Sequence, residues 1–148
     1  MCHYKIKTVF LALILTSIGC GVSESQVEKY VSSRDLRLKD NFKLEDSKWS
    51  TAPGDMMQKF QLYISAKDTK STIEKIRKLE NFREYKLDED LPSIMNVDQK
   101  TPFKILAYKQ GDIYYYGIYD EVNKSGYELQ EFTLDSKTMY LDFIFVEE

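Results

Sequence analysis

FKILAYKQGDIYYYGIY, residues 103–119, decides the fold of this chain. Two runs rich in aromatic and β-branched residues flank Gln110-Gly111-Asp112, a short polar segment with a glycine. Such a segment between two β-rich runs is typical of a tight turn. Because tight turns connect antiparallel strands, the stretch predicts a β-hairpin.

The residues that follow repeat this pattern. A loop at residues 120–125 leads to a third strand at 126–134, and Asp135-Ser136-Lys137 turns the chain into a fourth at 139–146. In the third strand, Tyr127 and Leu129 are out of phase with Phe132 and Leu134, which predicts a bulge near Gln130-Glu131. The four strands together predict an antiparallel meander.

A strand and a helix precede the meander. Residues 60–66 alternate with period two and predict a strand. The helix that follows has Ser71 or Asp68 as its N-cap and Asn81 as a left-handed stop residue. The predicted fold class is α+β, a mostly antiparallel five-stranded sheet with one helix packed on one face, in the order β-α-β-β-β-β. This single domain is placed at residues 55–148.

Residues 20–54 are interpreted as a tether with short local structure. Val27, Tyr30 and Val31 have helical spacing, so a short helix is expected there. The period-two pattern from Leu36 to Leu44 fits short strands or extended arms. Pro53-Gly54 then marks a break before the domain.

The N-terminus has the pattern of an export signal. Lys5 and Lys7 precede an apolar run of about twelve residues, which is shorter than the roughly twenty that a membrane-spanning helix needs. Residues 1–19 are therefore predicted to be a signal peptide, with an uncleaved anchor as the alternative.

Ser17-Ile18-Gly19-Cys20 resembles the lipobox of bacterial lipoproteins. The resemblance covers the first twenty residues and implies that the signal is cut before Cys20 and that this cysteine is acylated. It implies a partner too, the lipid membrane, because two or more acyl chains anchor a protein stably. The expected location is the outer membrane or the outer face of the cell membrane, and Gly21 in place of Asp allows sorting to the outer membrane.

The composition of the mature chain excludes several kinds of chemistry. Cleavage removes His3, the single histidine, and Cys2, the single cysteine besides Cys20. Ser-His-Asp catalysis, Cys-His catalysis and His/Cys zinc sites are then impossible. The loss of Lys5 and Lys7 leaves 19 basic against 24 acidic residues, a balance that argues against nucleic-acid binding. Asp88-Glu89-Asp90 has no EF-hand spacing and is interpreted as a solvated loop, so no metal or cofactor is predicted.

Tyrosines form the candidate binding surface. Alternation in residues 113–119 places Tyr115 and Tyr119 on one face of the strand and Tyr114 and Tyr116 on the other. Tyrosine provides large contact area at low entropic cost, so an exposed cluster suits partner binding. The candidate partner-binding residues are Tyr114, Tyr116, Tyr63, Tyr108 and Tyr140. The alternative is packing between strands, where tyrosine is common.

These features predict a membrane-anchored envelope lipoprotein that is not an enzyme. It is expected to hold a protein partner with the open tyrosine-bearing face of the sheet or with residues 83–102, which are predicted to be an irregular loop. An inhibitor or immunity-type protein and an assembly accessory are the two subclasses considered. The alternatives are a cell-wall or glycan enzyme that uses carboxylates alone and a structural lipoprotein without a ligand.

Overall fold

The computed structural model describes residues 23–33, 38–52, 55–97, 103–122 and 126–148. The predicted signal peptide, the lipobox with Cys20, Leu36 and the expected break at Pro53-Gly54 lie outside these residues.

The described residues form one seven-stranded sheet and two helices in the order α-β-β-α-β-β-β-β-β. The helices are α1 (Glu24–Ser33) and α2 (Ala66–Arg77), with a short 3-10 turn at Ile94–Asn96. The strands are β1 (Lys43–Ala52), β2 (Asp55–Tyr63), β3 (Arg83–Tyr85), β4 (Phe103–Gln110), β5 (Ile113–Asp120), β6 (Glu128–Asp135) and β7 (Tyr140–Glu147). Their order across the sheet is β1-β2-β7-β6-β5-β4-β3. All neighbours are antiparallel except β3 and β4, which are parallel.

The predicted meander from β4 to β7 is confirmed, but the predicted fold class is wrong. A five-stranded antiparallel sheet with one helix omits β1, β3 and α1. β1 (KLEDSKWSTA) is a polar edge strand, so it lacks the alternation that marks a half-buried strand. β3 is three residues long and is defined by its parallel pairing with β4, which local sequence does not encode.

Both helices pack on the same side of the sheet, which we call the helix face. Val27 and Val31 of α1 are 0% and 2% exposed, and they join Ile76 of α2 and Phe60, Phe132 and Phe143 in one core cluster. The expected short helix is therefore present, and it lies within the range interpreted as a tether while contributing to the core.

The boundaries of α2 differ from the expected ones. Ser65 is the N-cap, and its hydroxyl accepts a hydrogen bond from the Asp68 backbone N–H at 3.0 Å. Asp68 is buried, and its carboxylate accepts the backbone N–H groups of Lys39 and Asp40 at 2.9 Å each, which holds the chain before β1 against α2. Asn81 is not left-handed; its side chain donates to the Ile105 carbonyl instead.

The predicted bulge near Gln130-Glu131 is also wrong, because β6 keeps an unbroken register with both of its neighbours. Phe132 faces the helices, whereas Leu129 contacts a second apolar cluster on the other side of the sheet. The out-of-phase apolar residues therefore reflect two buried faces. The sheet has a register shift in β1 instead, at Glu45.

Candidate functional site

The face of the sheet opposite the helices, which we call the open face, carries most of the tyrosine side chains. Tyr108, Tyr115, Tyr119, Tyr63 and Tyr140 point to it, as their pairing registers show. Tyr63, Tyr108 and Tyr140 are three of the five candidate residues, and the structure places them on one face.

Tyr114 and Tyr116, the other two candidates, lie on the helix face. Tyr114 is 5% exposed in the main core, with the Arg77 guanidinium 5.7 Å and the Lys109 ammonium 5.8 Å from its ring centroid. The ring of Tyr116 stacks on Phe132 at 5.9 Å. The strand pairing in the meander determines which alternate residues of β5 face the helices. Tyr114 and Tyr116 belong to that set, so these two side chains serve as packing residues.

The open face is itself divided, because residues 86–97 cross it over β4 and β5. We call this segment the strap. Ile94 in its 3-10 turn is 2% exposed and packs in a second cluster with Leu106, Tyr108, Tyr115 and Tyr119. The irregular loop predicted at residues 83–102 therefore acts as a cover for half of the open face.

Gly117 allows the strap to approach the sheet. A Cβ atom at this position would lie 2.5 Å from the Tyr115 hydroxyl and 3.0 Å from Ile94 Cδ1. Its register with both neighbouring strands is unbroken, so the glycine marks a close approach and not a bulge.

The side chain of Tyr115 lies over Gly117, and its hydroxyl contacts a carboxylate. Its hydroxyl donates to Glu131 Oε1 at 2.5 Å, and its ring stacks on Tyr108 at 4.6 Å. Burial, followed by the hydrogen bond to Glu131, raises the pKa of Tyr115 well above its ordinary value. The phenol therefore stays protonated and acts as a structural donor beneath the strap.

The other half of the open face, formed by β2, β7 and β6, lies beyond the strap. We call it the β2–β7–β6 surface. Met57, Val146 and Leu129 are register partners and form an apolar row across its three strands. Met57 is 41% exposed, and Val146 and Leu129 are half-buried.

The rest of this surface is polar and aromatic. Tyr63 and Tyr140 pack edge to face, with ring centroids 5.7 Å apart, and Tyr63 is 39% exposed. Between this pair and the apolar row, Gln61 donates to Asp142 at 2.9 Å. Apolar, aromatic and hydrogen-bonding groups thus stand together on three central strands, which is the mixture found in protein-binding surfaces.

A surface cleft of about 690 Å³ lies on the other side of the molecule, between α1 and the chain leading to β1. Glu24, Glu28 and Asp40 line it. Asp40 accepts the Ser65 hydroxyl at 2.7 Å and lies 3.8 Å from the Lys67 ammonium, so it is part of the attachment of this segment to α2.

Two further properties bear on the function. Over the described ranges, no group of three or more acidic, histidine or cysteine side chains is arranged to hold a metal ion. In the same part of the chain, no helix has the length and hydropathy needed to cross a membrane.

The sequence prediction grouped Tyr114 and Tyr116 with Tyr63, Tyr108 and Tyr140, which the structure separates onto two faces, and it missed Met57, Leu129 and Val146. The alternation within β7 could have placed Val146 opposite the core, since Phe143 and Phe145 share the buried side.

In comparisons with known proteins, no family model, no curated protein and no solved structure matches this chain.

Proposed function

We propose that this chain is a lipid-anchored, non-enzymatic protein-binding module of the bacterial envelope, and that its β2–β7–β6 surface holds the partner. The observation that carries the proposal is the apolar row of Met57, Val146 and Leu129 beside the Tyr63–Tyr140 pair. Central strands provide a rigid base, so little conformational entropy is lost when a partner docks. Methionine adapts to the shape of a partner, and tyrosine contributes area with a polar tip.

The length of chain between Cys20 and the core supports a position close to the bilayer. Val27 is fully buried and lies seven residues after Cys20. Since an extended chain spans at most about 3.6 Å per residue, the core begins within about 25 Å of the acylated cysteine. A partner in the membrane or on its surface would therefore be within reach.

Site-specific photocrosslinking in the envelope tests the surface. We expect a photoreactive residue at position 57 or 146 to give a discrete crosslinked product, whereas the same residue at Lys78, an exposed position beside α2, gives none. Mass spectrometry of the product then separates the subclasses, because a secreted enzyme indicates an inhibitor or immunity protein and an assembly component indicates an accessory.

Met57→Asp is the matched variant. It places a charge in the apolar row, so the product formed from position 146 should fall at least about tenfold, which corresponds to about 1.4 kcal/mol. Met95→Asp makes the same change at a 48% exposed methionine of the strap, outside this surface, and should leave the product unchanged. The choice of surface would be refuted if position 78 gave as much crosslinked product as positions 57 and 146, or if Met57→Asp had no effect on the yield.

The anchor has its own test. In Cys20→Ser, labelled fatty acid should no longer be incorporated, and the signal peptide should no longer be cleaved to give the mature N-terminus. A cleaved, lipid-labelled Cys20→Ser protein would show that the lipoprotein interpretation is wrong, without bearing on the binding surface.

A further inference from the structure

The two edge strands of the sheet differ in length and in how they are protected. At one edge, β3 is three residues long and is flanked by the Arg77–Glu84 ion pair at 3.1 Å. At the other, β1 is ten residues long, and within the described part of the chain it pairs with β2 on one side only. An unpaired strand presents backbone N–H and C=O groups to any strand that can align with it, and proteins usually protect long edges.

The protection of β1 is confined to its first part. The bulge at Glu45 interrupts the ladder between Leu44 and Asp46, but Asp46 to Ala52 stay in unbroken register with β2. Lys48 is the one basic residue of this regular segment, and Asp46 on the same strand lies 3.8 Å from its ammonium. The segment therefore has a regular register and carries one acidic and one basic residue, so neither a bulge nor a net charge opposes pairing.

Trp49 stands at the midpoint of this regular segment and is 44% exposed. It lies on the helix face, because it opposes Gln58, which in turn opposes the core residue Phe145. The described residues provide no hydrogen-bond partner for the side-chain oxygen of buried Gln58. An exposed aromatic ring therefore lies beside an unsatisfied polar atom next to this edge.

We propose that β1 pairs antiparallel with β1 of a second copy of this chain, around a twofold axis at Trp49 perpendicular to the sheet. In this register the two Trp49 side chains oppose each other, each Ser47 opposes Thr51 of the second copy, and each Lys48 opposes Ser50. Aromatic and Ser/Thr cross-strand pairs are favourable, and no like charges stand directly opposite.

An axis at Trp49 pairs the whole regular segment, from Asp46 to Ala52. The nearest alternatives are less favourable, because an axis at Lys48 sets two lysines opposite each other and an axis at Ser50 pairs only residues 48–52. The segment is therefore complementary to itself in residue type and charge, which favours a second copy as the partner. The resulting sheet is continuous across both copies, keeps all four helices on one side and doubles the β2–β7–β6 surface. The pairing does not depend on the proposed binding function.

Disulfide trapping of the full chain in the membrane tests the register. The axis at Trp49 predicts that a Ser47→Cys chain and a Thr51→Cys chain, expressed together, form a disulfide-linked dimer. Each variant alone should not, because its own two copies are four strand positions apart, roughly 13 Å. Lys48→Cys with Thr51→Cys is the matched control, since these thiols face opposite sides of the sheet. The wild-type chain, run in parallel, accounts for any disulfide through Cys2 or Cys20.

Sedimentation of the detergent-solubilised full chain measures the strength of the pairing. We expect a dimer whose dissociation constant rises at least tenfold in Trp49→Glu, because two carboxylates then face each other, and changes less in Trp49→Phe. Unchanged near-ultraviolet circular dichroism of Trp49→Glu monomers, after correction for the lost indole, would show that the fold survives. A monomeric wild-type chain, or a dimer that the Ser47→Cys and Thr51→Cys pair does not trap, would overturn the proposal.

Discussion

Tyr114 and Tyr115 are neighbours in β5, yet they face different surroundings. Tyr114 is buried beneath the helices between two cations, whereas Tyr115 is buried beneath the strap, stacked on Tyr108 and bonded to Glu131. The helix face is covered by regular elements and the open face by an irregular segment over half its width. A tyrosine in a strand therefore becomes a packing residue or a surface residue according to what crosses its face.

The side chains beneath the helices and those beneath the strap also differ in how completely they are buried. Phe60, Phe132 and Phe143 on the helix face are 0% exposed, while Tyr108 and Tyr115 beneath the strap are each 9% exposed. We expect the helix face to carry most of the stability and the strap to be the weaker attachment.

Truncation of two adjacent β7 residues should give the largest difference between the faces. The ring of Phe143 lies 4.5 Å from that of Phe60 and 4.6 Å from that of Phe132, so Phe143→Ala leaves a cavity and should lower the free energy of unfolding by about 3–5 kcal/mol. Ile144→Ala, on the open face, should cost about 1 kcal/mol because the side chain is only half-buried. Urea denaturation measures both, and equal losses would contradict the assignment of the core to the helix face.

Gly117→Ala should loosen the strap specifically. The added methyl would approach the Tyr115 hydroxyl and Ile94, so we expect a loss of about 1–3 kcal/mol in the free energy of unfolding. Hydrogen exchange should also quicken in residues 91–97, while α1 stays protected.

A double variant locates the clash. Combining Gly117→Ala with Tyr115→Phe removes the atom nearest to the new methyl, so the double variant should lose less stability than the sum of the two single variants. Additive losses would show that Tyr115 and Gly117 are not in contact.

The smallest effect should appear as a pH dependence of the Tyr115→Phe variant. Burial and the hydrogen bond to Glu131 raise the pKa of Tyr115 in the folded state, so the unfolded chain releases this proton first, above about pH 10. The contribution of the protonated phenol is then fully present below about pH 10 and decreases as the pH rises, by at most about 1.4 kcal/mol per pH unit.

The variant lacks this proton and should therefore lose less stability in alkali than the wild-type chain. Below about pH 10 it should be less stable by about 1 kcal/mol, because the hydrogen bond is missing. Urea denaturation from about pH 8 to about pH 11 tests both statements. Parallel pH profiles would show that Tyr115 titrates alike in the folded and unfolded states.

Local patterns were enough to predict the meander. Gly111 has a φ of +59° in the turn between β4 and β5, a conformation that glycine adopts without strain. The alternation that ends in Phe143 and Phe145 marked β7, because every second residue of that strand enters the core. These signals are readable because each depends on residues next to one another in the chain.

The candidate site could be predicted only in part. The alternation separated Tyr114 and Tyr116 from Tyr115 and Tyr119, but it gave no sign of which pair would meet the helices. Met57 and Val146 lie 89 residues apart in the chain and are brought together by the pairing of β2 with β7. Such long-range pairing has no local signature.

By itself, the sequence determined the four meander strands with their turns, a further strand that overlaps β2, and two helices. It also determined the split of the β5 tyrosines into two sets and the absence of histidine from the mature chain expected after cleavage. Tertiary structure alone decided that β1 and β3 complete the sheet, that α1 joins the core on the same face as α2, and that the strap takes half of the other face. The physical reason is that alternation along a strand shows which residues share a face of the sheet. Whether that face is buried depends on the distant segments that cover it.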